Sequence, residues 1–319
     1  MKSIFKYLLL FCIAASTAHA QQLPYYTQNK SNAFMINPAV TGTKRLLDAR
    51  VNYRKQWVGY DGAPTTTSIG LHSRFLKGKM GAGLYYMQDK IGPQKQSNLG
   101  VSYAYHIRFP DCELSAGLAG NFTKYTLIGS QIFLHNNQDP SIDQTISNST
   151  WVTDAAAGIY LYNDRFHVGA SGQHVLQSTA EFYKADTTKK GTIKYVTQAN
   201  LTLGYNYSQN PDFVWESTLY GSYVKGAPMF LDYTLRLHIR DVVFTGISIR
   251  LRDALALHAG FTFLGTYQIS YSYDFQVGGL KSYNKGSHEI MLAVSSNIFT
   301  TRRGRVNDKF LHQKYGYLF

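Results

Sequence analysis

The sequence predicts an all-β protein: a transmembrane antiparallel β-barrel of about fourteen strands, placed in a bacterial outer membrane. Three observations predict it. Alternation of apolar and small or polar residues recurs from residue 46 to residue 299. Many of the alternating runs are about ten residues long, the length a tilted strand needs to cross a bilayer. The connections between them alternate between short and long, the asymmetry of outer-membrane barrels. Composition agrees. Charged residues make up 16% of the 319 residues, against about a quarter in a soluble domain, while the chain carries 25 Tyr and 27 Gly. Mean hydropathy is mildly negative, which does not suit a bundle of membrane-spanning helices.

The chain opens with a basic start, Met1-Lys2-Ser3-Ile4-Phe5-Lys6, an apolar run from Tyr7 to Ala15, and a small-x-small site at Ala18-His19-Ala20. That layout over residues 1–20 is a secretory signal peptide cut before Gln21. The apolar run is too short to span about 30 Å of hydrocarbon. Phe11 before Cys12 argues against lipoprotein processing. Cleavage leaves Cys112 as the one thiol, expected to be a small apolar residue in a strand. It also removes Lys2 and Lys6, taking the formal charge from +13 to +11. A basic exported protein suits membrane lipid headgroups or an acidic protein partner; export argues against nucleic acid, and none is expected. Residues 21–45 are polar and rich in Asn and Gln. They form either a plug folded into the lumen, with Asn37-Pro38 as a turn, or a loose periplasmic linker.

Strands follow over residues 46–299. Leu99, Val101, Tyr103, Tyr105, Ile107 and Phe109 alternate with Gly100, Ser102, Ala104, His106 and Arg108. Leu231, Tyr233, Leu235, Leu237 and Ile239 do the same opposite Asp232, Thr234, Arg236, His238 and Arg240. Such runs place strands at 46–54, 65–75, 80–88, 96–109, 111–124, 152–162, 165–175 and 192–209. Six more fall at 212–224, 229–239, 242–251, 255–263, 267–276 and 287–299. Links after even strands are short, as at Leu76–Lys79, Pro110 and Asn163-Asp164. Those after odd strands are mostly longer: 55–64, 89–95, 125–151, 176–191 and 277–286. The link at Arg252-Asp253 departs from the rule. An even strand count puts both ends of the barrel chain in the periplasm, including the basic tail 300–319 with Arg302, Arg303, Arg305, Lys309 and Lys314. Apolar and aromatic positions should face lipid. Asp232, Arg236 and His238 should face the lumen, because charge on the lipid face costs about 2–4 kcal/mol near the midplane.

The sequence offers no catalytic motif: no Gly-x-Ser-x-Gly elbow, no His-Glu-x-x-His, no phosphate loop. His72-Ser73 and His288-Glu289 are neighbours in strands, so their side chains point to opposite faces. We therefore expect no enzyme, no cofactor and no metal site. What stands out are loops on the external side. Residues 54–64 combine Trp57, Tyr60, a turn-forming Asp61-Gly62 and a Pro64 that cannot join a ladder. Asp89-Lys90-Ile91-Gly92-Pro93 and Gly278–Gly286 form the other two. Arg54, Gln56, Trp57, Tyr60, Asp61, Pro64, Asp89, Lys90 and Tyr283 are the candidate partner-binding residues, since exposed aromatics beside Arg and Asp suit a protein contact. The competing reading of the same residues is turn chemistry with an interfacial Trp.

Six strings stand out in order along the chain: Gln22–Gln28, Phe34–Gly42, Arg54–Pro64 with its Gln-Trp-x-Gly-x-Asp-Gly-Ala-Pro string, Asp89–Pro93, Ser272–Phe275 and Gly286–Ile290. In these the chain resembles the PorP/SprF family of the type IX secretion system of Bacteroidota. The resemblance implies a non-enzymatic outer-membrane barrel serving secretion and surface retention of adhesins, including gliding adhesins, through their C-terminal sorting domain. It also implies partners among the periplasmic or outer-membrane secretion components. The expected mechanism is an anchor: the three external loops form a platform holding one end of an exported surface protein. The basic tail departs from the family, leaving Phe299 and Phe319 as alternative terminal aromatics. The runner-up function is a passive outer-membrane channel or a hydrophobic-solute transporter.

Overall fold

The structure, a computed structural model, describes residues 24–44, 47–131, 147–182, 191–210, 212–277 and 284–296. The signal-peptide segment, the tail 300–319, Phe299 and Tyr283 lie outside them.

Among the described residues there are sixteen strands. They are β1 (Leu47–Lys55), β2 (Thr65–Phe75), β3 (Met80–Ile91), β4 (Gln94–Arg108), β5 (Glu113–Ile128), β6 (Ser147–Tyr162), β7 (Phe166–Gln173) and β8 (Thr179–Phe182). There follow β9 (Gly191–Lys194), β10 (Gln198–Asn210), β11 (Phe213–Val224), β12 (Phe230–Ile239), β13 (Val243–Arg250), β14 (Ala254–Phe263), β15 (Tyr267–Gln276) and β16 (Ser287–Ser296). All but β8 and β9 form one closed barrel in which each strand pairs with its chain neighbour and β16 returns to β1. The closing register runs from Leu47↔Ser296 to Lys55↔His288, antiparallel. Closure leaves no unpaired edge, the condition a sheet must meet in lipid.

Period-2 alternation decides which residues face where. Leu99, Val101, Tyr103, Tyr105 and Ile107 are exposed on the outside of β4, while Ser102, Ala104 and His106 are buried. Tyr267, Ile269, Tyr271 and Phe275 repeat the pattern on β15. Asp232 and Arg236 are buried in the lumen, and His238 reaches Glu216 there at 2.9 Å.

Four details differ from the sequence expectation. β3 and β4 run on to Ile91 and from Gln94, so the expected loop 89–95 shrinks to a two-residue turn at Gly92-Pro93, with Gly92 at φ 52°. The expected strand 192–209 is split. Its first residues form β9, which pairs with β8 as a separate hairpin, and this hairpin packs on Tyr125 of β5 and Val152 of β6 through Ala180, Phe182, Ile193 and the adjoining Tyr195. β6 starts at Ser147, earlier than expected. Cys112 lies in the β4–β5 turn, half-buried, where its carbonyl accepts from Phe109 N–H at 2.9 Å. A turn, not a strand, holds it because β5 pairing begins only at Arg108↔Glu113.

The lumen is not empty. Residues 24–44 lie inside it, built around one helical turn, α1 (Ala33–Ile36), and a 3-10 turn at Pro38–Val40. At one end of the barrel, Lys44 meets Asp48 at the start of β1, 2.8 Å away. At the other end, Tyr25 reaches Asp232 at the start of β12 at 2.7 Å, and Thr27 N–H reaches Glu289 near the start of β16 at 2.7 Å. The segment thus runs the length of the lumen. Phe34 and Met35 pack with Tyr26, Tyr85 and Met87 as its apolar core. Asn37 accepts from Ala39 N–H at 2.9 Å, which fixes the 3-10 turn, and donates to Ile159 O at 3.0 Å. The wall is recessed to admit this turn. A Cβ on Gly117 would sit 2.4 Å from Ala39 N, and one on Gly158 only 2.1 Å from Asn37 Oδ1.

Candidate functional site

Where β1, β13, β15 and β16 approach the loop-bearing end, charged side chains meet the N-terminal segment. Arg54 contacts Asp274 at 2.8 Å and Glu289 at 3.1 Å, and also bonds to Thr27 Oγ1. Thr27 Oγ1 donates to Asp274 at 2.8 Å, and Gln28 N–H donates to Glu289 at 3.2 Å. Arg250 contacts Asp274 at 3.4 Å, Asp232 at 3.6 Å and Asp253 at 2.7 Å. The Tyr25 ring lies 3.9 Å from the Arg250 guanidinium, a cation–π contact. Burial, with Asp232 beside it, holds the Tyr25 hydroxyl well above the usual phenol range, so it stays neutral and donates to Asp232. Every member of this cluster except Asp253 is buried or nearly so. Charges taken from water in this way persist only when paired and hydrogen-bonded, and removing one partner costs about 3–5 kcal/mol.

A second cluster closes the other end. Asp48 accepts from Arg50 at 2.6 Å, Lys44 at 2.8 Å and Ser295 at 2.7 Å, with His72 at 3.7 Å. Burial, and then Arg50, lowers the Lys44 pKa to about 8, although Asp48 pulls it upward. Midway, Lys30 pairs with Glu216, which His238 also contacts.

The rim stands directly above the first cluster. Val58 N–H donates to Gly286 O at 2.9 Å and Lys285 N–H to Val58 O at 2.7 Å, so the loop 56–64 is laddered to the chain entering β16. Gly92 N–H donates to Gly62 O at 2.9 Å, tying the β3–β4 turn to the same loop. Gln56 N–H donates to Pro64 O at 3.0 Å and closes the loop's base. Trp57 adopts φ 44° and is half-buried, its N–H on Ser287 Oγ at 3.2 Å. Tyr60 and Asp61 are exposed at the tip, and Pro64 is buried.

Three of the expected rim residues belong elsewhere. Arg54 is 1% exposed and points into the lumen, with the parity of Asp48, Arg50 and Asn52. Asp89 is buried on β3, where Thr66 Oγ1 donates to it at 2.6 Å, because the β2–β3 ladder continues through Thr66↔Asp89 to Thr65↔Lys90. Lys90, one residue on, is exposed on the outer face of β3. Continued alternation overrides the loop reading in all three. Sequence reasoning missed the luminal partners Thr27, Asp274 and Glu289 as a group. Each stands in a family-like string, Gln22–Gln28, Ser272–Phe275 and Gly286–Ile290, and these strings converge in space.

The interior also holds a Ser248–His258 contact, Oγ to Nε2 at 2.6 Å, extended by Thr234 at 2.6 Å to Ser248. It pairs residues on different strands, which a search among adjacent residues passes over. Neither Ser248 nor His258 lines either of the two cavities beside the segment, and both are buried to 3% or less. The pair is part of a polar chain from Asp232, which accepts from Thr234 at 3.0 Å. Two cavities flank the segment. One lies toward the loops between Pro24–Tyr26 and the wall. The other touches Lys30, Phe34, Asn37, Arg50, His72 and His167.

A closed barrel with an aromatic and aliphatic outer band and a charged interior defines an outer-membrane β-barrel protein. Within that class, the chain belongs to the type IX secretion system membrane protein PorP/SprF family, whose family model matches residues 18–294. No curated protein matches its sequence. Solved structures similar to it include the CymD monoaromatic hydrocarbon channel, at 12% identity and TM-score 0.48, covering 86% of this chain and 92% of the other. A FadL homologue of Pseudomonas aeruginosa has 12% identity and TM-score 0.44, with coverage of 87% and 95%. Omp33 of Acinetobacter baumannii has 9% identity and TM-score 0.44, with coverage of 79% and 99%.

Proposed function

We propose that this barrel is a closed anchor: residues 24–44 plug the lumen, and the rim loop 56–64 holds an exported surface protein at the outer face. The observation that carries the reading is the tie between rim and plug. Arg54 leads directly into the loop and is held by Thr27 of the segment, while Glu289 and Asp274 flank the chain that ladders with Val58. A docking surface needs a fixed backbone beneath its side chains, because ordering a loose loop on binding costs affinity. Tyr60 and Asp61, exposed above that base, are the residues that touch the partner. The partner is the C-terminal sorting domain of an adhesin-type cargo, and the periplasmic end, with the β2–β3 and β4–β5 turns, faces the secretion components.

A passive channel or a hydrophobic-solute transporter needs an open path, and the segment's contacts from Lys44–Asp48 to Tyr25–Asp232 favour closure over passage. The test of anchoring is Tyr60→Ala with Asp61→Ala. The doubly substituted barrel should stay folded, as judged by heat-modified gel mobility, and release the adhesin into the medium. Normal surface retention with a folded barrel would remove the rim from the account.

A further inference from the structure

The loop-side cavity has a lining unlike the rest of the lumen. Elsewhere the interior is charged, but no Asp, Glu, Lys or Arg is among the described residues that line this space. Aromatic rings and amides replace them. Tyr25 and Phe230 stand with ring centroids 4.5 Å apart at 48°, and Tyr220 meets Phe230 at 5.9 Å, giving a three-ring corner. Around it the amides are held in fixed orientation. Tyr85 donates to Asn121 Oδ1 at 2.6 Å, Tyr220 to Asn200 Oδ1 at 2.9 Å, and Gln198 Nε2 to the same oxygen at 3.1 Å. Asn98 differs from them. It is 2% exposed, lines the cavity, and its Oδ1 has no hydrogen-bond partner among the described residues.

A buried acceptor left unpaired costs about 1–3 kcal/mol, so the site favours a ligand that brings a donor. No lining residue carries a formal charge, and Arg250, 3.9 Å from the Tyr25 ring, is already paired with Asp232, Asp253 and Asp274, so a phosphate, carboxylate or amine would be desolvated without a free counter-charge. A purely apolar solute would match the rings and leave the amides dry. A pyranose ring meets both halves of the lining: its C–H face lies on aromatic rings, and its edge hydroxyls donate to and accept from amides.

We propose that the loop-side cavity binds an uncharged hexopyranosyl unit, stacked in the Tyr25–Tyr220–Phe230 corner and donating a hydroxyl to Asn98 Oδ1. The site is separate from the rim loop and does not depend on its anchoring role. Ligands of this class at the barrel's mouth are neutral sugars or the neutral sugar residues of a surface glycan.

The test uses the full-length barrel in a zwitterionic, sugar-free detergent, because maltoside and glucoside headgroups carry the proposed ligand. Saturation-transfer NMR is run with the methyl glycosides of glucose, mannose and N-acetylglucosamine, with toluene and inorganic phosphate as apolar and anionic controls. At least one glycoside should receive saturation on its ring C–H protons, and Asn98→Leu should weaken its binding about tenfold. Asn98→Ala, which only shortens the side chain, serves if the Leu variant fails to fold. Saturation of none of the glycosides, equal binding by folded wild type and variant, or binding of toluene or phosphate alone would overturn the assignment.

Discussion

Arg54 and Glu289 are register partners across the β1–β16 closure, and their side chains meet at 3.1 Å inside the barrel with Thr27 bonded to both. The seam that closes the cylinder is therefore also the point where the luminal segment is fastened. The rim loop starts two residues beyond Arg54, and the last loop ends three residues before Glu289, so wall, segment and rim share one electrostatic junction.

Removing Arg54 should loosen all three. Arg54→Met leaves Asp274 with Arg250 and leaves Glu289 without its cation, a change worth about 3–5 kcal/mol at a buried pair. Unfolding in urea, followed by gel mobility, should shift to a clearly lower midpoint than wild type. An unchanged midpoint would show that the cluster holds little of the fold's stability.

Gly117 tests whether the wall was recessed for the segment. In Gly117→Val the added side chain meets Pro38 and Ala39, where even a Cβ lies 2.4 Å from backbone atoms. The barrel ladder on either side of residue 117 needs no change, so the segment should yield. A Ser31→Cys reporter should react with a water-soluble maleimide several-fold faster in the Val background than alone. Equal rates would place the strain in the wall instead.

Lys44 gives a pH dependence with a definite sign. Its folded pKa is about 8, against about 10.4 for an unfolded lysine. Between these values the unfolded chain binds more protons, so stability rises with pH across the window and falls as pH drops toward 8. The urea midpoint should increase from pH 8 to about pH 10 more in wild type than in Lys44→Met. An identical increase in both proteins would assign the effect to other groups.

Gly286 controls the rim. It adopts φ 84°, and a Cβ there would lie 2.5 Å from Tyr273 Oη and 2.7 Å from Asp274 O. Gly286→Ala should displace the backbone that pairs with Val58, at a cost of about 1–3 kcal/mol locally. Deuterium uptake over residues 56–64 should speed up while the barrel strands stay protected. Unaltered exchange in that loop would mean the two-bond ladder does not hold it.

The strands were legible because alternation is local: any few residues of β4 or β15 carry the period-2 pattern that sets both the element and its faces. The same rule, followed one step further, places Arg54 and Asp89 inward, since each continues the parity of the strand before it. Turn-like composition at Asp89–Pro93 concealed that extension, because only Gly92-Pro93 makes the turn. The β8–β9 hairpin was not legible, as four-residue strands carry too little pattern and are set by packing on Tyr125 and Val152. The path of residues 24–44 was beyond sequence reading for a different reason. It has no periodicity, and Thr27 and Tyr25 find their partners more than two hundred positions away in the chain. Only the closed cylinder brings those carboxylates to it.

In the anchor reading the barrel is closed by its own N-terminal segment. Planar-bilayer recording of the wild-type protein beside a variant lacking residues 24–44 reads that closure out as current. The wild-type barrel should carry no steady current, and discrete, ohmic openings should appear once the segment is removed. Wild-type openings of the same size as those of the deletion variant would return the protein to the channel reading.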